Sequence, residues 1–292
     1  MGIRGYKYKV MRLDKITEEN AKDLNTFLDD DLIHDISRIF YGGLGVFDDG
    51  GNPYGALVYE LLNVTMGNRS ITSVIHCFRA KNKEAFEMLF TGYESLVQKI
   101  GIERSIFETE SKEQVELFQR YNFVFKKKVS SQFRISLKDI DNINLNLEKE
   151  VPDKIRDISD VSILMYRNAI MSAISNGYSG AVSDLAYLPL NWYEKEISSC
   201  SLEDEKISGL LLVRKQPSGA LYFVLYTAFG TNKQLNLAYM LIRTINMIIS
   251  NYPPETEILI NCLSDKVKSL IKQLLPDYEE REVNVGIRDE SI

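Results

Sequence analysis

Two stretches of the chain show the same change of hydrophobic period. Residues 42–48 and 54–64 alternate or run apolar with β-forming residues on either side of Asp49-Gly50-Gly51-Asn52-Pro53, which predicts a hairpin. After the turn Met66-Gly67-Asn68-Arg69, residues 71–78 read as a further strand. The period then lengthens. Phe86, Leu89, Phe90, Tyr93, Val97 and Ile100 share one face of a helix over 83–100, and Gly101 supplies its stop. A short strand over 104–108 follows, then a helix capped by Ser111 and running to Tyr121, with Val115, Leu117 and Phe118 inward, and a strand from 124 to about 137.

About 150 residues later the order recurs. Residues 207–214 and 220–229 read as strands about the turn Gln216-Pro217-Ser218-Gly219. Leu235, Ala238, Tyr239, Ile242, Ile245 and Ile249 mark one face of a helix over 233–250, which ends before Pro253-Pro254. A strand over 257–262, a helix over 265–275 capped by Ser264, with Val267, Leu270, Ile271 and Leu274 inward, and a strand over 282–287 complete this half. Two helical stretches, about 157–175 and 185–198, precede it, joined by Asn176-Gly177-Tyr178-Ser179-Gly180. The class read from this pattern is α/β (α+β): two tandem domains, each a mixed, largely antiparallel sheet flanked by helices. The polar segment 139–152 is the expected boundary, giving domains 1–140 and 151–292.

Composition removes several functions. With 35 Lys and Arg against 41 Asp and Glu, the net charge is -6, which argues against a nucleic-acid partner. The basic run Lys126-Lys127-Lys128 reads as the solvated face of a strand. The most apolar stretches, 210–213 and 220–229, are too short to cross a bilayer, and no membrane partner is expected. Residues 1–6 lack the apolar core of a signal peptide, and Tyr6 stands where a myristoylation signal wants Ser or Thr. The expected location is therefore cytoplasmic, and the glycan-acceptor patterns at Asn63 and Asn68 read as chance matches.

Cys77, Cys200 and Cys262 are odd in number and widely spaced, and His34 and His76 are the only histidines. A disulfide framework, a zinc site and a Ser-His-Asp site lack raw material, so no metal is expected. His76 sits inside the apolar run 71–78 and reads as a strand histidine. No GxGxxG, GxxxxGK[ST] or GxSxG pattern is present.

The doubled order of elements resembles the GNAT (GCN5-related N-acetyltransferase) superfamily, in tandem and over nearly the whole chain. That superfamily holds the coenzyme A pyrophosphate on [QR]-x-x-G-x-[GA], between its fourth strand and its long helix, where backbone N–H groups and the helix dipole face the phosphates. The corresponding stretch of the second half is Lys233-Gln234-Leu235-Asn236-Leu237-Ala238, with Lys for Gln or Arg and Asn236 for glycine. An asparagine there can donate to phosphate, and glycine at 236 would restore close backbone approach. Thr227 and Ala228 match the strand end where the superfamily binds the acyl carbonyl through main chain.

In the first half the corresponding stretch, Lys81-Asn82-Lys83-Glu84-Ala85-Phe86, brings a carboxylate to the phosphate position. A second signature, approximately N-x-x-A-x-x-L-Y-x-x-x-G-F, is matched by Ser111, Leu117, Phe118, Asn122 and Phe123, and in the second half by Ser264 and Ile271. Phe118 and Ile271 stand where many superfamily members carry the tyrosine that protonates the departing thiolate, and neither can do so. Tyr222, Tyr226 and Tyr278 are nearby phenols, each read as packing, and no catalytic residue is assigned. Tyr178, Tyr187, Trp192 and Tyr193 form an aromatic group where the superfamily walls its acceptor pocket.

The resemblance implies an N-acyltransferase that takes acetyl-CoA or another acyl-CoA as co-substrate and a small-molecule amine or peptide as acceptor. The cofactor site is expected in the second half, with the first half shaping structure or substrate. The rival is a catalytically inactive binding or regulatory protein of the same fold. A third reading, an aminoacyl transferase with a transfer-RNA donor, is opposed by the net charge.

Overall fold

The computed structural model describes residues 11–62, 71–130, 132–143, 145–176, 183–261, 265–276, 278 and 281–290. In chain order the elements are β1 (Met11–Lys15), α1 (Asp30–Asp35), β2 (Tyr41–Asp48), β3 (Pro53–Leu62), β4 (Ile71–Ala80), α2 (Lys83–Ile100), β5 (Ile102–Thr109), α3 (Lys112–Gln119) and β6 (Val124–Val129). They continue with β7 (Gln132–Ser136), β8 (Ile155–Asp157), α4 (Ile163–Ser175), β9 (Ser199–Glu203), β10 (Lys206–Lys215), β11 (Leu221–Ala228), α5 (Lys233–Asn251), β12 (Glu257–Asn261), α6 (Asp265–Leu274) and β13 (Glu282–Asp289). Two sheets result, in the orders β1-β2-β3-β4-β5-β13-β6 and β7-β12-β11-β10-β9-β8. Compact unit 1 comprises Met1–Lys128 with Val283–Ile292, and unit 2 comprises Val129–Glu282.

In unit 1, α2 forms because its apolar positions recur at helical spacing and its ends are sealed. Asn82 accepts the Ala85 N–H at 2.8 Å, and Gly101, at φ +76°, returns its N–H to the Val97 carbonyl. Leu89, Phe90 and Tyr93 are buried against Leu57, Phe78 and Phe107 of the sheet, with Phe118 of α3. Leu24, Phe27, Val58 and Cys77 fill the opposite face.

In unit 2, Met240, Leu241, Ile245 and Ile248 of α5 pack on Leu211, Val213, Phe223 and Ile258. Burial of each such side chain contributes ~1.5–3 kcal/mol.

The structure differs from the sequence expectation in four places. The strand expected over 124–137 is two strands in two sheets, β6 and β7, parting at Ser130. The last strand, expected to end the second half, lies in the first sheet, antiparallel to β5 from Asn284↔Thr109 to Asp289↔Arg104. The polar segment 139–152 is not a bare linker, because Ile140 is buried in the second core and Ile143, Leu145, Leu147 and Val151 pack against it. The division thus falls at Val129, not within 139–152 as the expected domains 1–140 and 151–292 required, and unit 1 regains its final strand from the chain's far end.

The fourth difference is the stretch 185–198, which has only short 3-10 turns at Ser183–Tyr187 and Leu190–Trp192, because Pro189 sits extended at ψ 152° and cannot continue a helix. The turn 66–69, residues 177–180 and Ser264 lie outside the described residues.

Candidate functional site

Each sheet contains one parallel neighbour pair bridged by a long helix: β4 and β5 by α2, β11 and β12 by α5. The β11–β12 register runs only from Leu221↔Ile258 to Phe223↔Ile260, whereas β11 stays paired with β10 as far as Ala228↔Gly209. A bulge makes Val224 the extra residue of β11. The chain that continues β12 past Asn261 lies outside the described residues, so from Val224 onward no partner on that edge of β11 is among those described.

The end of β11 leads into the start of α5. Phe229 donates its N–H to the Ser208 carbonyl at 2.7 Å, and Gly230 adopts φ +89°. A Cβ on Gly230 would also come within 2.7 Å of the Glu203 carboxylate, so this position needs glycine twice over. Asn232 precedes the helix without a side-chain cap, and the first intrahelical bond described is from the Asn236 N–H to the Asn232 carbonyl, 2.9 Å. The N–H groups of Lys233, Gln234 and Leu235 therefore have no helix acceptor or capping side chain. All three residues are exposed, and no acidic residue stands in the first turn.

The equivalent end of α2 is closed. Asn82 fills the cap position with its own oxygen, Glu84 is in the first turn, and only Lys81 and Asn82 separate the strand from the helix. Lys83 and Lys233 open their helices, so Glu84 and Gln234 occupy the same helical position. One helix start thus offers bare donors to an anion, and the other already holds a carboxamide oxygen with a carboxylate beside it.

The residues singled out in the sequence distribute as follows. Thr227 and Ala228 end β11, both buried. Asn236 does not reach the exposed side. Its side chain is fully buried, and its Nδ2 donates to Glu203 Oε1 at 2.9 Å and to Ser208 Oγ at 3.4 Å. The expected donation from this amide to phosphate is therefore replaced by a structural bond. Ala238 is half-buried on the second turn, beyond the three free donors.

Phe118 is wholly buried among Phe78, Phe107 and Phe123, with ring centroids 5.0, 4.4 and 5.2 Å away, and Ile271 is buried in the second core. Tyr278 packs on Phe133 and accepts the Arg134 N–H, as a packing residue does. Tyr222 and Tyr226 lie within β11, and Tyr226 is part of the second core.

Of the aromatic group, Tyr193 is buried, with its hydroxyl 2.6 Å from that of Tyr166, and Trp192 meets it edge-on. Tyr187 is exposed and Tyr178 is outside the described residues. Glu203, the bulge at Val224 and Gly230 were not singled out in the sequence. The φ of Gly230 has a signal there, a glycine between a strand and a helix; the other two follow from strand register.

Of the described cysteines, Cys77 and Cys200 are buried and not poised as nucleophiles. Burial pushes Cys77 up to about 11 and Cys200 up to about 12, which leaves almost no thiolate near neutrality. Among the described residues no group of three or more His, Cys, Asp or Glu is arranged to hold a metal ion, and no helix is long and apolar enough to cross a membrane.

No protein-family model matches this sequence, and no curated protein matches it. Solved structures do match. A tandem GNAT protein from the clavulanic acid biosynthesis pathway superposes with a TM-score of 0.64 at 8% identity, covering 97% of this chain and 99% of its own. A putative acetyltransferase from Pyrococcus horikoshii gives 0.58 at 12% identity, covering 99% and 92%. A probable N-acyltransferase from Enterococcus faecalis V583 gives 0.53 at 13% identity, covering 96% and 72%. The order of elements, the two mixed sheets and these superpositions agree: the chain has the tandem GCN5-related N-acetyltransferase fold.

Proposed function

We propose that the protein is an acyl-CoA-dependent N-acyltransferase whose co-substrate is held by unit 2. The observation that carries this reading is the uncapped start of α5, free of acidic residues, directly after β11. The diphosphate of acetyl-CoA or another acyl-CoA is assigned to the N–H groups of Lys233, Gln234 and Leu235, with the Lys233 ammonium adding charge. The edge of β11 after Phe223 is assigned to the amides of the pantetheine arm, which it would meet as a strand edge meets an extended peptide.

Thr227 and Ala228, at the end of that edge, are assigned to the acyl carbonyl. The thioester supplies the activated acyl group, and the acceptor is an amine, small molecule or peptide. Asn236 acts on this site indirectly, by holding Glu203 and the connection that contains Gly230. Unit 1, with α2 closed by Asn82 and Glu84, is assigned no co-substrate.

Calorimetric titration with acetyl-CoA tests the assignment. Lys233→Ala should weaken binding by ~1–3 kcal/mol, the range for a hydrogen bond to a charged group. Gln234→Glu copies the closed helix into the open one and should weaken it further. Glu84→Ala should leave affinity unchanged. If the parent shows no binding at millimolar acetyl-CoA, the inactive binding-protein reading replaces this one; if Glu84→Ala alone changes affinity, the site is in unit 1.

A further inference from the structure

Unit 1 closes its parted strands with a side chain of its own. β4 pairs with β5 as far as Ile75↔Phe107, and beyond that point it has no strand partner on this side among the described residues. The carbonyl of Phe78, further along β4, therefore takes its donor from elsewhere. Gln114 of α3, the helix that follows β5, supplies it from Nε2 at 3.1 Å. The other end of the same carboxamide is engaged as well, because the hydroxyl of Thr109, the last residue of β5, donates to Gln114 Oε1. One half-buried side chain thus spans the divergence, donor to one strand and acceptor from the other.

Helix capping does not account for this. Ser111-Lys112-Glu113-Gln114 has the pattern of a capping box, in which the glutamine side chain returns to the N–H of the capping serine. Half of that box is present, since Ser111 Oγ accepts the Gln114 N–H at 3.2 Å. The other half is not, because the Ser111 N–H donates to Thr109 Oγ1 at 3.1 Å. Buried Thr109 thus relieves the glutamine of its capping bond and fixes the direction of its amide. With the hydroxyl on the oxygen, the nitrogen faces Phe78.

A secondary amide can make the same pair of bonds, its N–H to a strand carbonyl and its oxygen to a hydroxyl. In unit 2 the corresponding strand edge is the one assigned to the amides of the pantetheine arm. The counterpart of Gln114 there is not a glutamine. In the register that sets Ser264 against Ser111 and Ile271 against Phe118, position 267 is a valine, which has no polar atom to offer.

We propose that Gln114 is an internal stand-in for a ligand amide, and that it denies unit 1 the pantetheine arm of an acyl-CoA by occupying the carbonyl that would receive it. Thr109 is a positioning residue that holds the carboxamide in this orientation. The start of α2 refuses the diphosphate, and Gln114 refuses the arm. The identity of the excluded arm rests on the acyl-CoA reading of unit 2; the bridge itself does not, and its test contains no acyl-CoA, so failure of one is told apart from failure of the other.

Amide rescue of Gln114→Ala tests this. The probe is N-methylacetamide, which pairs an N–H with a carbonyl as each amide of the arm does. The control is N,N-dimethylacetamide, which keeps the carbonyl and lacks the N–H. Gln114→Ala should melt ~3–8 °C below the parent for the loss of two neutral hydrogen bonds. N-methylacetamide should return most of that loss along a curve that levels off, and should slow hydrogen exchange in the peptides of β4 and α3 but not in those of unit 2. The parent and Gln114→Glu, whose sites are filled, should show neither effect.

Pantetheine, which carries such amides and no diphosphate, should protect the same peptides in Gln114→Ala and leave the parent unprotected. Gln114→Ser gives the same readings if the alanine variant does not fold. Equal rescue by N,N-dimethylacetamide, an equal response of the parent to either ligand, or a variant that neither N-methylacetamide nor pantetheine protects would overturn the proposal.

Discussion

Replacing Asn236 with glycine separates two accounts of the same position. From the motif alone, glycine restores close approach of the backbone to a phosphate and should tighten acyl-CoA binding. From the structure, it removes a fully buried side chain whose Nδ2 bonds Glu203 at 2.9 Å. A hydrogen bond to a charged group contributes ~1.5–3 kcal/mol. Glu203 is half-exposed and regains water when the bond is lost, so the lower part of that range applies.

The buried Asn236 Oδ1 has no hydrogen-bond partner among the described residues, and deleting it returns about 1 kcal/mol. Asn236→Ala should therefore cost roughly 0.5–1 kcal/mol, and glycine about 1 kcal/mol more for its backbone freedom inside a helix, roughly 1.5–2 kcal/mol together. At ~2–4 °C per kcal/mol for a unit of this size, Asn236→Gly should melt ~3–8 °C below the parent. Thermal unfolding followed by circular dichroism measures this, and calorimetry at a temperature where both variants are folded measures acetyl-CoA affinity. A variant that melts with the parent and binds acetyl-CoA more tightly would refute the structural account and return Asn236 to the phosphate.

Three further outcomes are expected. Phe118→Tyr, which restores the residue the superfamily signature carries, should gain no acyl-transfer rate and should lower stability by ~1–3 kcal/mol, because the new hydroxyl enters an apolar aromatic cluster; urea unfolding and an acetyl-CoA turnover assay read both. Burial pushes the Glu60 carboxyl up, but His76, Arg38 and the Tyr41 hydroxyl outweigh it and lower the folded pKa, so its stabilising contribution is complete above its ordinary 4.5 and is lost as pH falls through the lower folded value. Between pH 6 and about pH 3 the parent should thus lose more stability than Glu60→Gln, and equal losses would show that the carboxylate is not held by its neighbours. Truncation after Arg281 should destabilise unit 1, which loses the strand between β5 and β6, and leave the α5-centred core of unit 2 folded; hydrogen exchange resolved by peptide distinguishes the two.

Local pattern made much of this molecule legible. The α2 face, its stop at Gly101, the Ser111 cap and the hairpins depend on residues close in sequence, and the structure keeps all of them. Misreadings arose where distant strands decide. Residues 124–137 form one continuous β-rich run, and only the choice of partners, β13 for one part and β12 for the other, divides it. Ser199–Glu203 has little β-branched character and becomes a strand because β8 and β10 flank it.

The site shows the same division. That Lys233–Leu235 begin a helix is written locally, as is the carboxylate of Glu84. That Asn236 turns inward is not, because its partner Glu203 lies 33 residues away. In the sequence His76 reads as an ordinary strand residue, because neither the bulge nor Glu60, on another strand, is visible from its own neighbours.

The return of β13 to the first sheet has a consequence in time. During synthesis, β5 and β6 leave the ribosome with the strand that belongs between them still unmade, and the whole of unit 2 must be translated before it appears. At ~5–20 residues per second that interval is roughly 10–30 seconds, long compared with the folding of most small domains. For that period the open flank of β5 is an edge available to β6, to another nascent chain or to a chaperone. Unit 1, most of which precedes unit 2 in the chain, is thus the last to be finished, and a ribosome stalled before the codons of β13 would leave unit 1 incomplete beside a whole unit 2.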